Sequence, residues 1–295
     1  MKKITLFGCM LVATLVVISA FPLAVSEASN TTIYVDDDGG ADYTKIQDAV
    51  DAADDGDNIF VYDGTYYGLI IINKTLTLTG EDKSETIIYG GNSSNVVKVT
   101  ANSVNIEGFS VKNGFDTGIY VFDSVDTSIS DCIITSNSGR GIHLDLAKKT
   151  SISHCIVSSN EKFGICVCNS DGSRPGSNNN VISHCIISNN SDGVFLNDIT
   201  GTSVENNTIK DNRFYGVYLV FARDCEIKEN NFIDNTESAF FQGGFLNSWS
   251  HNYWSGAWNI GMKLILGVTW GLPIPWLNFD LNPATEPFEI DGGII

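Results

Sequence analysis

The chain has 295 residues and carries 17 Lys+Arg against 35 Asp+Glu, a formal net charge of −18 at pH 7. That balance repels phosphate backbones and anionic headgroups, so nucleic acid is excluded as an expected partner, and cations and neutral polymers remain. The length is large for one globular core but suits one elongated repeat domain, which grows by adding units rather than by enlarging a core.

In chain order, Lys2 and Lys3 precede an apolar run from Ile4 to Val25, and Ser26, Glu27 and Ala28 follow as a cleavage site. This is the pattern of an export signal, so 1–28 is predicted to be a signal peptide and the mature protein to be secreted or held at the cell surface. The run is also long enough to cross a bilayer, so an uncleaved anchor is the alternative. Cys9 belongs to this leader, which leaves Cys132, Cys155, Cys166, Cys168, Cys185 and Cys225. An even number of cysteines in an exported chain suggests disulfides.

Residues 29–57 form an expected N-terminal cap. Within it Ile46, Ala49, Val50 and Ala53 share one face of a short helix. The acidic group Asp36, Asp37, Asp38, Asp42, Asp54, Asp55 and Asp57 is a candidate calcium site beside the solvated alternative.

From 58 to 255 the chain repeats. Ile106, Ile129, Ile152, Ile182, Val204, Ile227 and Trp249 occupy one aligned position, with spacings of 23, 23, 30, 22, 23 and 22 residues. Each unit holds short β-branched stretches broken by Asn, Gly and Ser, without a helical period, and each carries a Gly before an alternating run such as Gly141-Ile142-His143-Leu144. A constant period with one insertion means stacked equivalent units. The predicted fold class is therefore all-β: a single-stranded right-handed parallel β-helix with coils of about 23 residues, a short α-helical cap and an aromatic C-terminal cap.

In-register stacking predicts ladders of like side chains. One reads Cys132, Cys155, Cys185, Asn207 and Asn230, and another Asn137, Asn160, Asn190, Asn212 and Asn235. Neighbouring in-register cysteines fit disulfide geometry poorly, so the cysteine ladder is expected to be small apolar filling. Cys166 and Cys168 differ, since both point outward on one strand.

The outward positions of the long strands are the first candidate site. Tyr120, His143, Cys166, Phe195 and Tyr218 form one column, and Phe122, Asp145, Cys168, Asn197 and Val220 its neighbour. Aromatic faces with polar neighbours suit sugar rings, so Tyr120, Phe122, His143, Asp145, Phe195, Asn197 and Tyr218 are expected carbohydrate-binding residues. Ordinary solvated strand residues are the alternative. The residue before each ladder position reads Asp131, His154 and His184, a second candidate, for a transition metal, against simple stacking of polar turn residues. The insertion 169–178 is expected to protrude as a loop.

The last segment, 256–295, loses the period and gathers Trp258, Trp270, Trp276, Phe279 and Phe288, an expected aromatic plug. Its apolar stretch from Ile260 to Leu277 is interrupted by Lys263, Gly267, Gly271, Pro273 and Pro275, which disfavours a spanning helix and leaves at most a weak peripheral membrane contact. Sequons at Asn30, Asn73, Asn92, Asn189 and Asn206 are compatible with surface glycosylation.

The coils from about Val104 to Tyr253, with Asn252-Tyr253-Trp254-Ser255, resemble the NosD-type β-helix repeats of archaeal and bacterial surface proteins. The opening, through Tyr34-Val35-Asp36, Tyr43-Thr44-Lys45-Ile46-Gln47 and Gly64-Thr65-Tyr66-Tyr67, is similar to that of carbohydrate-active β-helix proteins such as pectin methylesterases. The catalytic motifs of those enzymes, among them Asp-Phe-Ile-Phe-Gly and Gly-Arg-Pro-Trp, are missing. The resemblance implies a surface β-helix whose partner is a polysaccharide or glycoprotein of the cell envelope, and it raises copper as a ligand. A non-catalytic role is expected, with a polysaccharide lyase or hydrolase site near His143 and Asp145, or copper handling by His154 and His184, as alternatives.

Overall fold

The computed structural model describes residues 30–91, 93–172, 177–256, 261–269 and 275–290, without the side chain of Trp276. The expected signal segment, Asn92, Trp258, Trp270 and positions 173–176 of the insertion lie outside the described residues.

Alternating apolar residues give each coil three strands, because every corner residue breaks the extended backbone. A representative coil runs through Thr117–Phe122, Ser128–Ser130 and Ile133–Thr135. The next coil repeats these as Arg140–Asp145, Ser151–Ser153 and Ile156–Ser158. Equivalent strands pair in parallel, Ile129 with Ile152 and Ile152 with Ile182, so the predicted stacking holds through the insertion. The result is a parallel β-solenoid of about ten turns with three faces. The six-residue strands make a long face, and the three-residue strands make the other two.

Each long strand sends two apolar residues inward. Ile119 and Val121, Ile142 and Leu144, Ile165 and Val167, Val194 and Leu196, and Val217 and Leu219 are all fully buried. Each contributes about 1.5–3 kcal/mol on burial. The recurring glycine ahead of them has a steric cause. A Cβ on Gly141 would lie 2.6 Å from the Gly164 carbonyl oxygen of the next coil.

Corners are made by residues in the left-handed region, among them Asp131 (φ 48°), His154 (φ 55°), His184 (φ 55°), Asn206 (φ 54°) and Glu229 (φ 56°). The following residue turns inward and forms the ladder. Asn207 and Asn230 each pass a side-chain N–H to the next rung, at 3.0 Å to Asn230 Oδ1 and 3.0 Å to Asn252 Oδ1. Asn137, Asn160, Asn190, Asn212 and Asn235 form the second expected ladder with bonds of 2.9–3.3 Å. A third corner was not picked out from the sequence: the backbone N–H of Thr150 donates to Asn180 Oδ1 at 2.8 Å and that of Cys225 to Asn247 Oδ1 at 3.0 Å. All six described cysteines are free thiols, which settles the disulfide alternative in favour of packing for Cys132, Cys155 and Cys185.

The helix Ile46–Ala52 covers the N-terminal end with Ile46, Ala49 and Val50 buried, as the pattern predicts. The Lys74 ammonium donates to the carbonyls of Val50, Asp51 and Ala53 at 3.2, 2.7 and 2.6 Å, supplying positive charge where helix carbonyls are unpaired. The strand Thr32–Val35 already pairs with Asn58–Val61, so the solenoid begins ahead of the helix.

At the C-terminal end a hairpin is added, and of the residues of the expected aromatic plug only Phe279 and Phe288 have described side chains. Lys263–Val268 adds a rung to the long face beside Glu237–Gln242 and pairs antiparallel with Pro275–Asp280, joining two faces into one sheet. Phe279 is 40% exposed rather than inserted. The interior is filled one coil earlier by Trp254, stacked on Phe232 at 4.4 Å, and by Trp249. Sequence reasoning could not see this because edge pairing needs no period. No helix among the described residues is long and apolar enough to cross a membrane.

Candidate functional site

The outward side of the long face carries both expected columns in register. Tyr120 pairs with His143, His143 with Cys166, Cys166 with Phe195, Phe195 with Tyr218, and Tyr218 with Phe240. Phe122, Asp145, Cys168, Asn197 and Val220 run beside them. These columns divide into two chemically distinct regions.

The first is an aromatic strip two rings wide. Phe163 stacks on Phe195 at 4.5 Å, Phe195 lies 5.3 Å from Tyr218, and Tyr215 stacks on Phe240 at 5.4 Å. All five rings are half-buried. Polar groups edge them: the Tyr218 hydroxyl donates to Gln242 Oε1 at 3.2 Å, and Asn197 lies on the next outward position. Phe163, Tyr215 and Phe240 were not among the expected binding residues. The first two sit at strand positions outside the alternating column, and only ring contact across coils brings them in.

The second region surrounds His143. Its ring stacks on Tyr120 at 4.9 Å, and its Nε2 lies 3.0 Å from Cys168 Sγ. The outward column is buried here rather than solvated: His143 is 9% exposed, Asp145 2% and Cys166 2%. Part of the cover is the start of the insertion, which folds back rather than simply protruding. The Ser170 N–H and hydroxyl donate to Asp145 at 2.9 and 2.6 Å, while the Tyr120 hydroxyl donates to its Oδ2 at 3.2 Å. Asp145 thus accepts from Tyr120 and twice from Ser170, with the Cys168 thiol a further donor at 3.9 Å, and orients the groups around it. Burial, then the Asp145 charge, pushes the Tyr120 phenol up. The hydrogen bond from Cys166, followed by the His143 contact, lowers the Cys168 thiol to about 6. The same bond and burial push Cys166 up.

Among the described residues, the one group of three or more His, Cys, Asp or Glu whose donor atoms lie within 4.8 Å of one another is His143, Cys166 and Cys168. The other expected metal residues are arranged otherwise. His154 and His184 stack with parallel rings 5.1 Å apart, while Asp131 forms an ion pair with Lys83. The acidic N-terminal residues serve backbone groups: Asp57 accepts from Thr31 and Asp54, Asp37 from Thr65, Asp42 from Tyr34 and Asp55 from Thr75.

Known proteins place this scaffold. An alginate lyase from Paenibacillus sp. str. FPU-7 aligns with a TM-score of 0.64 and 16% identity, covering 82% of this chain and 91% of its own. A pectate lyase aligns at 0.59 and 14% identity, over 82% and 75%. At these identities the likeness is one of fold. In sequence, a cell surface glycoprotein of Methanothermus fervidus is 36% identical over 98 residues, and the matched part is 32% of this chain and 15% of that glycoprotein. The family described as "Periplasmic copper-binding protein (NosD)" matches residues 50–272. The copper in that description can be tested against the donors present: two thiols and an imidazole at His143, Cys166 and Cys168 fit a soft ion, whereas two stacked imidazoles beside an ion-paired Asp131 make a poorer set. From the matched span, which takes in more than half of the chain and all of the periodic coils, the chain belongs to the NosD family.

Proposed function

We propose that this chain is an exported cell-surface β-helix protein that binds envelope or environmental glycan along the aromatic strip of its long face, without cleaving it. The observation that carries this reading is the continuous, half-exposed row Phe163, Phe195, Tyr215, Tyr218 and Phe240 with polar groups at its margin. Pyranose rings present apolar C–H faces and equatorial hydroxyls, and a row of rings at coil spacing meets successive sugars without requiring a deep pocket. The surface location is supported by the glycoprotein relative and by the periplasmic family description. A non-catalytic role is supported by Asp145, the carboxylate expected near the strip, which is buried and already engaged by the Tyr120 hydroxyl and by Ser170. Such a group is poorly placed for proton transfer to a substrate.

A glycan array followed by affinity electrophoresis on the polysaccharides that score tests the reading. Binding should fall about tenfold in Tyr218→Ala, the equivalent of roughly 1.4 kcal/mol for one ring. Release of unsaturated or reducing sugar ends from any bound polysaccharide would replace the binding role with lyase or hydrolase activity.

A further inference from the structure

We propose that His143, Cys166 and Cys168 hold one cuprous ion in a three-coordinate site with two sulfur ligands and one nitrogen, shielded by Tyr120 and the start of the insertion. The family description names copper without naming a residue, and this assignment stands independently of the glycan strip.

The site follows from strand geometry. His143 and Cys166 are direct partners on adjacent coils, and Cys168 is two residues beyond Cys166 on the same outward side, opposite Asp145. Three donors on two strands therefore make a triangle whose edges are all within 4.8 Å. An ion with bonds of about 2.0–2.3 Å to nitrogen and sulfur spans edges of roughly 3.5–4.0 Å in a trigonal plane. Rotation of the side chains closes that difference, and the two strands keep their pairing.

The donor set selects the ion. Thiolates favour Cu(I) and Zn(II) over oxygen-seeking cations. Zinc completes a tetrahedron with a fourth ligand. The nearest carboxylate, Asp145, has an oxygen 3.9 Å from Cys168 Sγ but is held by the Tyr120 hydroxyl and by Ser170. Three soft donors with the fourth withheld suit a monovalent ion that is content with three. Charge also balances locally. Two thiolates and one Cu(I) carry one net negative charge beside the Arg140 guanidinium, which neighbours Cys166. The Arg140 Nε is buried without a hydrogen-bond partner. A coordinated sulfur would supply an acceptor there.

The test is an anaerobic titration of the reduced protein with Cu(I) in competition with bicinchoninate, run in parallel with Zn(II) against a zinc chelator. The expected result is one Cu(I) per chain, with X-ray absorption fitting two sulfur neighbours and one nitrogen. Affinity should fall more than about 100-fold in Cys168→Ser, whose side chain is half-buried and whose loss leaves the core intact. Cys185→Ser, in the interior ladder, should leave binding unchanged, and unaltered far-ultraviolet circular dichroism of both variants separates ligand loss from misfolding. Absence of stoichiometric Cu(I), retention of full affinity in a folded Cys168→Ser variant, or zinc held more tightly than Cu(I) would each overturn the assignment.

Discussion

The side-chain carbonyl of Asn207 accepts the backbone N–H of Cys185, one coil earlier, at 2.9 Å. This bond joins the thiol half of a ladder to its amide half. Below it, Cys132, Cys155 and Cys185 fill the corner with sulfur directed at carbonyls such as Ser183 O, 3.2 Å from Cys185 Sγ. Above it, Asn207, Asn230 and Asn252 satisfy both the corner backbone and one another. The two halves should respond differently to substitution. Asn207→Ala strands the Cys185 N–H and the Ile182 carbonyl in a dry interior and should cost about 2–4 kcal/mol, whereas Cys155→Ala removes a small apolar group and should cost about 1 kcal/mol. Thermal denaturation of the two variants beside the wild type decides it, and equal losses would contradict the hydrogen-bond account.

At the C-terminal end the ladder runs into a charge. The buried Asp280 carboxylate accepts the Asn252 N–H, the Asn252 side-chain amide and the Trp254 indole N–H at 2.9, 3.1 and 3.2 Å. Asp280→Ala should destabilise the fold by about 3 kcal/mol or more, since several buried donors lose their acceptor together. Hydrogen exchange should show the loss as opening of the final coils, including Trp254, before the central ones. Protection that falls evenly along the solenoid would argue against a closing role.

Thiol accessibility makes a simpler forecast. Cys168 is half-buried while the other described cysteines are buried, and burial raises Cys225 to about 11. In the metal-free folded protein, alkylation followed by peptide mapping should label Cys168 first, with Cys132, Cys155 and Cys185 protected until denaturation. Disulfide-linked peptides recovered without a reductant would be inconsistent with this arrangement.

Asp192 supplies the pH dependence. Burial raises its carboxyl above the usual range, against the opposing hydrogen bond from the Tyr215 N–H at 3.0 Å. Because the folded value exceeds the unfolded one, its favourable contribution is complete below the unfolded value and is lost as pH rises through the folded value. Asp192→Asn keeps an acceptor for Tyr215 and carries no charge. The variant should therefore melt above the wild type at neutral pH, with the gap closing as pH falls below the ordinary carboxylate range. A gap that widens on acidification would reverse the assigned direction.

Period, facing and ladders were legible in the sequence because strand geometry makes them one-dimensional. Ile129, Ile152 and Ile182 recur, so they stack, and the alternation around Ile142 and Leu144 assigns His143 to the outside. The same arithmetic put Tyr120, His143 and Cys166 in one column and Asp145 and Cys168 in the next. Lateral contact between columns was not legible. The diagonal from His143 to Cys168, and the ring of Phe163 against Phe195, depend on side-chain rotation and coil curvature, which a spacing does not encode.

The sequence by itself determined the winding and which residues face the interior, since the hydrophobic period leaves one way to bury the isoleucines and valines of every coil. Tertiary structure decided what the exterior can do. It folded Ser170 onto Asp145, drew His143, Cys166 and Cys168 within 4.8 Å of one another, engaged Asp131 in an ion pair with Lys83, and closed the C-terminal end with an antiparallel hairpin. Those outcomes arise from contacts between elements that follow no repeat, so no periodicity announces them.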